Sequence, residues 1–406
     1  MKKRILFVDD ETMVLQGIER MLRLMRHEWQ MDFASSAEIA RERMAGALYD
    51  VVVTDLVMPT QDGAQLLSFV KERYPTAIRL VLSGHADENL AMKCLGIAHQ
   101  YLAKPCDPAT LKSTILRVTA PEFGIRNERV MTLVTQLEGL PTIPAVFIKM
   151  LDLLDQPDSS LDEIGALIAR DMALTAKLLQ TVNSSFFGIA RRISKPSEAA
   201  GFLGMDTLKT LVTAMNLITW LESNLAPHFS AKLESDHSRQ VGAAARAIAL
   251  AERCPRAMVD DSLAAGLLHD IGKLILASSL PEQFGRVAAQ ESGDPLDAER
   301  EAFGATHADI GGYLLGLWGL PGAVVEAVNL HHSPRESQTT GFTALTATHV
   351  ANCLVHEQLS VGEGAQCAAP DMEYINQLGL ADRLPLWRLA VEDCLRTPHS
   401  HFEYWQ

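Results

Sequence analysis

No stretch of this 406-residue chain is apolar for long enough to cross a bilayer. The run from Leu211 to Leu221 is interrupted by Asn216, and that from Leu263 to Leu280 by His269, Asp270 and Lys273. The basic start, Met1-Lys-Lys-Arg4, leads into an apolar run that stops at Asp9, too short for the core of a secretion signal. A cytoplasmic protein without membrane insertion is expected. Cysteine is sparse: Cys94, Cys106, Cys254, Cys353, Cys367 and Cys394 form no Cys-x-x-Cys pair, which fits reduced, mostly buried thiols better than a disulfide or zinc framework. Basic charge is in deficit. With 36 Lys+Arg against 50 Asp+Glu, a net charge of −14, the chain offers no stripe to neutralise phosphates, so a DNA-binding output is disfavoured. No internal repeat or low-complexity tract is present.

Hydrophobic residues make up 48% of the chain and charged ones 21%, a globular balance, and the length suggests about two or three domains. In the first part, short apolar, β-branched runs suit strands buried on both faces of a parallel sheet. Polar residues follow them: Asp9-Asp10 after Ile5-Leu-Phe-Val8, Asp55 after Val51-Val-Val-Thr54, Ser83 after Leu80-Val-Leu82, and Lys104 after Tyr101-Leu-Ala103. Residues just beyond the carboxyl ends of such strands converge on one crevice. Three carboxylates there repel one another unless a hard cation joins them, and Mg²⁺ suits one or two carboxylates plus phosphoryl oxygens and water. Asp10 and Asp55 are the expected direct ligands, with Asp9 behind them acting through water. Asp55 is the candidate nucleophile, activated by position and metal. Lys104 would offset charge on the transferred phosphoryl group, and Ser83 would donate a hydrogen bond to it.

On these residues, together with Lys104-Pro105 and the Asp62-Gly63 turn, residues 1–120 resemble the receiver domain of two-component response regulators. The resemblance implies a (βα)5 doubly wound α/β fold and phosphotransfer to Asp55 from a sensor histidine kinase or phosphotransfer protein. It makes Tyr101 the switch aromatic, moving with Ser83 toward the phosphoryl group. It also makes residues 84–118 the transmitting or dimerising face.

Past Ala120 the strand signals stop. Pro121, Gly124 and the charged residues from Arg126 to Arg129 mark a linker over 121–130. A stripe at Val130, Leu133, Val134 and Leu137 then has helical spacing, suited to core packing or to a homodimer. Amphipathic segments follow near 145–155, 161–170, 173–182, 197–203, 206–222, 231–253, 260–278, 281–291, 295–316, 321–331, 341–358 and 385–396. Several start at Ser, Thr or Asp and stop at Gly or Pro.

Five strings open this half: Leu140-Pro-Thr-Ile-Pro144, Ile168-Ala-Arg-Asp171, Leu174-Thr-Ala-Lys-Leu-Leu179, Val182-Asn-Ser-Ser-Phe-Phe-Gly188 and Ala199-Ala-Gly-Phe-Leu-Gly204. Together they resemble the HDOD domain, an all-α output module related to HD-superfamily hydrolases, over 131–340, with a helical extension over 341–406. Met172 stands where that family usually has proline, which should alter how the local helix begins.

Imidazoles and a carboxylate drawn from several helices are what a transition-metal site in a helical core requires. His237, His269-Asp270, His307 and His331-His332 follow one another here, and the apolar surroundings of Asp270 demand a partner for it. HD-superfamily proteins have this order of ligands, closed by an aspartate where this chain has Asn352. By that resemblance His237, His269 and Asp270 would hold one metal, with Asn352 a weak carbonyl ligand. Asp270 would bridge to a second held by His307, His331 and His332. Iron, manganese or another divalent transition ion is the expected occupant. Were the site catalytic, Asp270 and Lys273 would carry the chemistry, with Lys273 on a substrate phosphate. The chain after His332 reads Ser-Pro-Arg-Glu-Ser-Gln338 and lacks the Gly-Tyr-Pro element of the HD-GYP cyclic-di-GMP phosphodiesterases. Two expectations stand. In one, a phosphorylation-controlled HDOD module binds an unidentified downstream signalling protein; in the other, the receiver gates a metal-dependent phosphohydrolase.

Overall fold

The computed structural model describes residues 2–58, 63–83, 97–104, 106, 108–119, 134–135, 150, 153, 159–183, 192–216, 226, 229–290, 293–359 and 369–396. It forms two compact units, one built chiefly from residues 1–139 and the other chiefly from residues 140–406.

The first unit is a five-stranded parallel sheet in the order β2-β1-β3-β4-β5. Its strands are β1 (Lys3–Val8), β2 (Trp29–Ala34), β3 (Val51–Asp55), β4 (Ile78–Ser83) and β5 (Gln100–Ala103). The described helices are α1 (Thr12–Met21), α2 (Ala37–Gly46), α3 (Gly63–Arg73) and α4 (Pro108–Thr119). Ile5, Leu6, Phe7 and Val51 to Val53 are wholly buried, as strands covered on both faces require. The edge strand β2 is less buried, with Trp29 and Ala34 fully buried, Gln30 exposed and Met31, Asp32 and Phe33 half-buried, and it lacks the continuous apolar run that marks β1 and β3. From β1 the chain moves outward to β2 and then returns to the other side of β1 for β3. Loops leaving β1 and β3 therefore part, and a crevice opens where Asp9-Asp10 and Asp55 emerge.

Gly63 opens α3 with its amide donating to the Leu56 carbonyl at 2.9 Å. A Cβ there would lie 2.0 Å from the Asp55 carbonyl oxygen, so only glycine lets the helix start this close to Asp55. Asp62 and Pro105 lie outside the described residues. Of the stripe from Val130 to Leu137 only Val134 is described, and it is buried. Beside it the Thr135 carbonyl accepts from the buried Arg79 guanidinium, and the Thr135 hydroxyl donates to the Pro75 carbonyl. Arg79 also donates to the carbonyls of Ile97 (2.6 Å) and Ala77 (3.3 Å), and burial pushes its guanidinium down to about 10.

The second unit is helical. It contains α5 (Leu161–Ile168), α6 (Met172–Val182), α7 (Pro196–Asn216), α8 (Ala231–Ala251), α9 (Arg256–Leu268), α10 (Ile271–Ser279) and α11 (Pro281–Ala288). After these come α12 (Pro295–Phe303), α13 (His307–Leu317), α14 (Gly322–Leu330), α15 (Ala344–Leu359), α16 (Met372–Gln377) and α17 (Leu384–Arg396). Caps set several of the starts. Ser160 and Glu163 close a reciprocal box at α5, and Ser230 accepts from the Leu233 amide at α8. Asp171 accepts from the Leu174 amide at 2.9 Å, so α6 begins at Met172, a first-turn position where a proline's missing N–H would cost nothing.

Two expected helices are broken. The 260–278 segment is α9 and α10, divided at His269-Asp270. Adjacent residues on one helix point about 100° apart, so a turn is needed for both side chains to face one site. The 295–316 segment is α12 and α13, divided by Gly304 at φ 76° and restarted by a Thr306–Asp309 box. The expected break between 203 and 206 is present at Gly204, whose φ of 76° kinks α7. Most of the 145–155 segment and residues 217–222 lie outside the described residues. Helix α16 had no counterpart in the periodicity. Of the described cysteines, Cys353 is buried and Cys106, Cys254 and Cys394 are half-buried, none of them in a disulfide, and these three are less sequestered than expected.

One apolar cluster ties the late helices to α8: Val241, Ala244 and Ile248 pack with Val350 and Ala351 of α15, Ile375 of α16, and Trp387 and Val391 of α17. Trp387 is wholly buried, and its indole N–H donates to Glu252 Oε1 at 2.7 Å. Trp387→Ala should therefore cost about 3–5 kcal/mol in urea unfolding followed by far-UV circular dichroism; a loss under 1 kcal/mol would show that α17 is dispensable. At the other end of the unit, a Cβ on Gly272 of α10 would lie 1.9 Å from the His307 carbonyl oxygen. Gly272→Ala must push α13 away and should lower stability by about 1–3 kcal/mol, read by the same unfolding assay. An unchanged midpoint would mean that this approach is not set by the missing side chain.

Candidate functional site

At the carboxyl edge of the sheet, oxygens of Asp9, Asp10 and Asp55 all lie within 4.8 Å of one another. Asp9 is fully buried, Asp55 is 6% exposed, and Asp10 is the least buried of the three. Lys104 Nζ sits 2.7 Å from Asp9 Oδ2 and 2.7 Å from Asp55 Oδ2. Burial opposes the charge on both partners. It raises Asp9 despite Lys104, whereas the two carboxylates outweigh it at Lys104 and raise that ammonium above its ordinary value. Ser83 ends β4 beside Ala103, and Tyr101 pairs with Val81 in β5, so both backbones reach this edge; their side chains are outside the described residues. The arrangement suits a hard divalent cation.

In the helical unit, Asp270 is the centre. Its two oxygens face two groups of imidazoles. Oδ2 lies 3.0 Å from His269 Nε2 and 3.8 Å from His237 Nε2, while Oδ1 lies 3.1 Å from His307 Nε2 and 3.8 Å from His331 Nε2. His332 Nε2 is 3.1 Å from His307 Nε2, on the exposed side. Ligand atoms of His237, His269 and Asp270 fall within 4.8 Å of one another, and so do those of Asp270, His307, His331 and His332. Asn352 directs Oδ1 at His237 Nε2, 3.1 Å away. The expected seven residues thus meet, brought by α8, the α9–α10 turn, the start of α13, the end of α14 and α15.

Local backbone fixes which nitrogen each ring presents. His269 Nδ1 bonds the Gly266 carbonyl at 2.9 Å and His331 Nδ1 the Val328 carbonyl at 2.7 Å, each three residues back at its own helix end. His307 Nδ1 is held by Glu299, at 2.8 and 2.9 Å, and Glu299 also accepts from the His307 amide at 2.7 Å. With Nδ1 occupied, Nε2 is the nitrogen aimed inward, as in histidine metal ligands. Three of the inward atoms, His269 Nε2, His331 Nε2 and Asp270 Oδ1, are buried and make no well-directed hydrogen bond, the 3.0 and 3.1 Å approaches to Asp270 being charge contacts of poor hydrogen-bond geometry. Such orphans are costly in a packed interior and are what a bound cation would satisfy, so the residues present fit a metal.

Burial, with help from neighbouring imidazoles, pushes His237 down to about 3 and His331 well below the ordinary value, which keeps both neutral. His307 differs: burial lowers it, but Glu299 and Asp270 outweigh that and raise it to about 9. Burial would raise Asp270, yet His269 and Lys273 hold it well below the usual carboxylate range. Lys273 Nζ is 2.7 Å from Asp270 Oδ2 and 3.2 Å from Glu234 Oε1, so it is already paired with carboxylates. A cavity of about 290 Å³ opens beside it, lined among others by Phe229, Glu234, Phe284 and Glu299.

Glu299, Glu234 and His356 were not read from the sequence. Glu234 stands three residues before His237 and His356 four residues after Asn352, so helical spacing alone places each on a face already in use. Glu299 reaches His307 only because Gly304 turns the chain between them, and no spacing rule signals that.

A family model described as a response regulator receiver domain matches residues 5–116, and one described as an HDOD domain matches residues 140–334. An uncharacterized protein of Treponema pallidum is 29% identical over 231 residues, covering 54% of this chain and 44% of that protein. Hydrogenase transcriptional regulatory protein HoxA of Cupriavidus necator is 33% identical over 113 residues, 27% of this chain and 23% of that protein. The chain therefore spans under half the length of either relative. Among solved structures, the MmoQ response regulator from Methylococcus capsulatus is similar with a TM-score of 0.49 at 21% identity, covering 62% of this chain and 98% of its own. The acidic cluster falls inside the first matched segment and the imidazoles through His332 inside the second, and the chain belongs to the response regulators that join a receiver domain to an HDOD domain.

Proposed function

We propose that phosphorylation of Asp55 controls the HDOD half, and that this half acts chiefly by binding another signalling protein while holding a metal around Asp270. The convergence of Asp9, Asp10, Asp55 and Lys104 carries the first part of this reading. A carboxylate oxygen of Asp55 attacks the phosphorus of a phosphohistidine protonated on its other ring nitrogen, the nitrogen–phosphorus bond breaks with its electron pair staying on nitrogen, and a neutral imidazole leaves. Asp9, Asp10 and Asp55 would hold Mg²⁺, which supplies neutralising charge for the incoming phosphoryl oxygens. The Lys104 ammonium stands between Asp9 and Asp55, ready to exchange a carboxylate partner for a phosphoryl oxygen. A sensor histidine kinase or phosphotransfer protein is the upstream partner in this reading.

Asn352 supports the binding role for the HDOD half, because it removes one negative charge from the first imidazole group. A second reading, a metal-dependent phosphohydrolase, is favoured by one observation: a cavity flanks Lys273 beside the Asp270 cluster. Under that reading His237, His269, Asp270, His307, His331 and His332 would hold cations that polarise a phosphoryl oxygen, and Lys273 would orient the substrate.

Asp55→Asn should abolish labelling by acetyl phosphate, since an amide is not nucleophilic; retained labelling on the variant would place the acceptor elsewhere. For the output, metal content of the purified protein and a phosphodiester hydrolysis screen should be compared between wild type and Asp270→Ala. Metal lost in Asp270→Ala with no turnover in either protein is the expected result. Turnover that depends on Asp270 would replace the binding role with the hydrolase.

A further inference from the structure

Asn352 leaves the first imidazole group short of a ligand of full strength. His237, His269 and one oxygen of Asp270 make three donors, and a neutral amide carbonyl is a poor fourth beside a carboxylate. One turn further along α15, on the same face, stands His356. Its ring centroid is 4.5 Å from that of His237, with the planes tilted by 40°, closer than the 5.2 Å between His237 and His269. The residue is exposed, so the side chain has room to turn at χ1 and χ2, while α15 is held in place by the core around Val350 and Ala351.

We propose that His356 is a ligand of the first cation position, standing in for the carboxylate that Asn352 does not provide. The assignment rests on the reading of the Asp270 cluster as a metal centre. It changes the chemistry of that position: three imidazoles and a shared carboxylate form a nitrogen-rich donor set of low negative charge. Imidazole suits zinc, iron, nickel and copper, whereas magnesium and calcium require carboxylate and carbonyl oxygens. The first position therefore takes a first-row transition ion and rejects magnesium. The buried Nε2 of His269, which makes no well-directed hydrogen bond, marks the inner wall, and His356 closes the outer one.

The test is a titration of the full chain, stripped by chelation, with Co²⁺, whose visible absorption reports the number and type of ligands. Wild type is expected to bind two equivalents. His356→Ala should bind one of them more weakly by at least about tenfold and with an altered band as water replaces nitrogen, whereas His331→Ala should disturb the other equivalent. Because His356 is exposed, His356→Ala should melt like wild type in chelator, which separates ligation from folding. Equal affinity and an identical spectrum for His356→Ala and wild type would overturn the assignment and leave the metal centre standing. Failure of wild type to bind Co²⁺ would overturn both.

Discussion

A carboxylate only 1% exposed, in the middle of a helical core, carries a desolvation cost of several kcal/mol unless every side of it is answered. Asp270 is answered on three sides: by His269 and His237, by His307 and His331, and by the ammonium of Lys273. Much of the helical half is arranged to deliver those partners. The chain breaks helix at His269-Asp270 so that both side chains face inward, α13 restarts after Gly304 so that His307 lies on its first turn, and α8 and α15 supply His237 and Asn352. Around this centre the outer partners are mostly backbone carbonyls, which cannot change rotamer. Glu299 is the exception, a side chain that binds both the ring and the amide of His307 and so couples α12 to the site.

The receiver meets the same electrostatic problem with opposite means. There the acidic residues are packed near one another at strand ends, with Lys104 as the compensating charge, and the crevice remains accessible through Asp10. Asp270 sits in a closed shell of imidazoles; Asp55 sits at a rim.

How far the chain could be read without its fold follows from what each feature depends on. Strands β1, β3, β4 and β5 were legible because burial on both faces forces runs such as Val51 to Val53 and Leu80 to Leu82. The edge strand β2 was not, since only its two end residues, Trp29 and Ala34, are fully buried and polar Gln30 and Asp32 interrupt its apolar run. His237, His269, Asp270, His307, His331 and His332 were recognisable from their order along the chain and do come together. Glu299 was hidden because its approach to His307 depends on the left-handed turn at Gly304, a three-dimensional event. The breaks at His269-Asp270 and Gly304 were missed for a related reason: apolar periodicity runs through both segments, and only the need to aim side chains at one point interrupts the helix. Trp387 belongs to neither class. It reads as an ordinary apolar position in a weak late segment, yet it fills the core behind α8.

The contact between Gly272 and the His307 carbonyl has a bearing on ion size. Helices α10 and α13 meet main chain against main chain there, a contact that no side-chain rotation can widen. Loop-built calcium sites breathe to accept ions of different radius; two helices in direct main-chain contact have less backbone freedom to do so. The 3.1 Å between Asp270 Oδ1 and His307 Nε2 can then be adjusted only through the torsions of those two side chains.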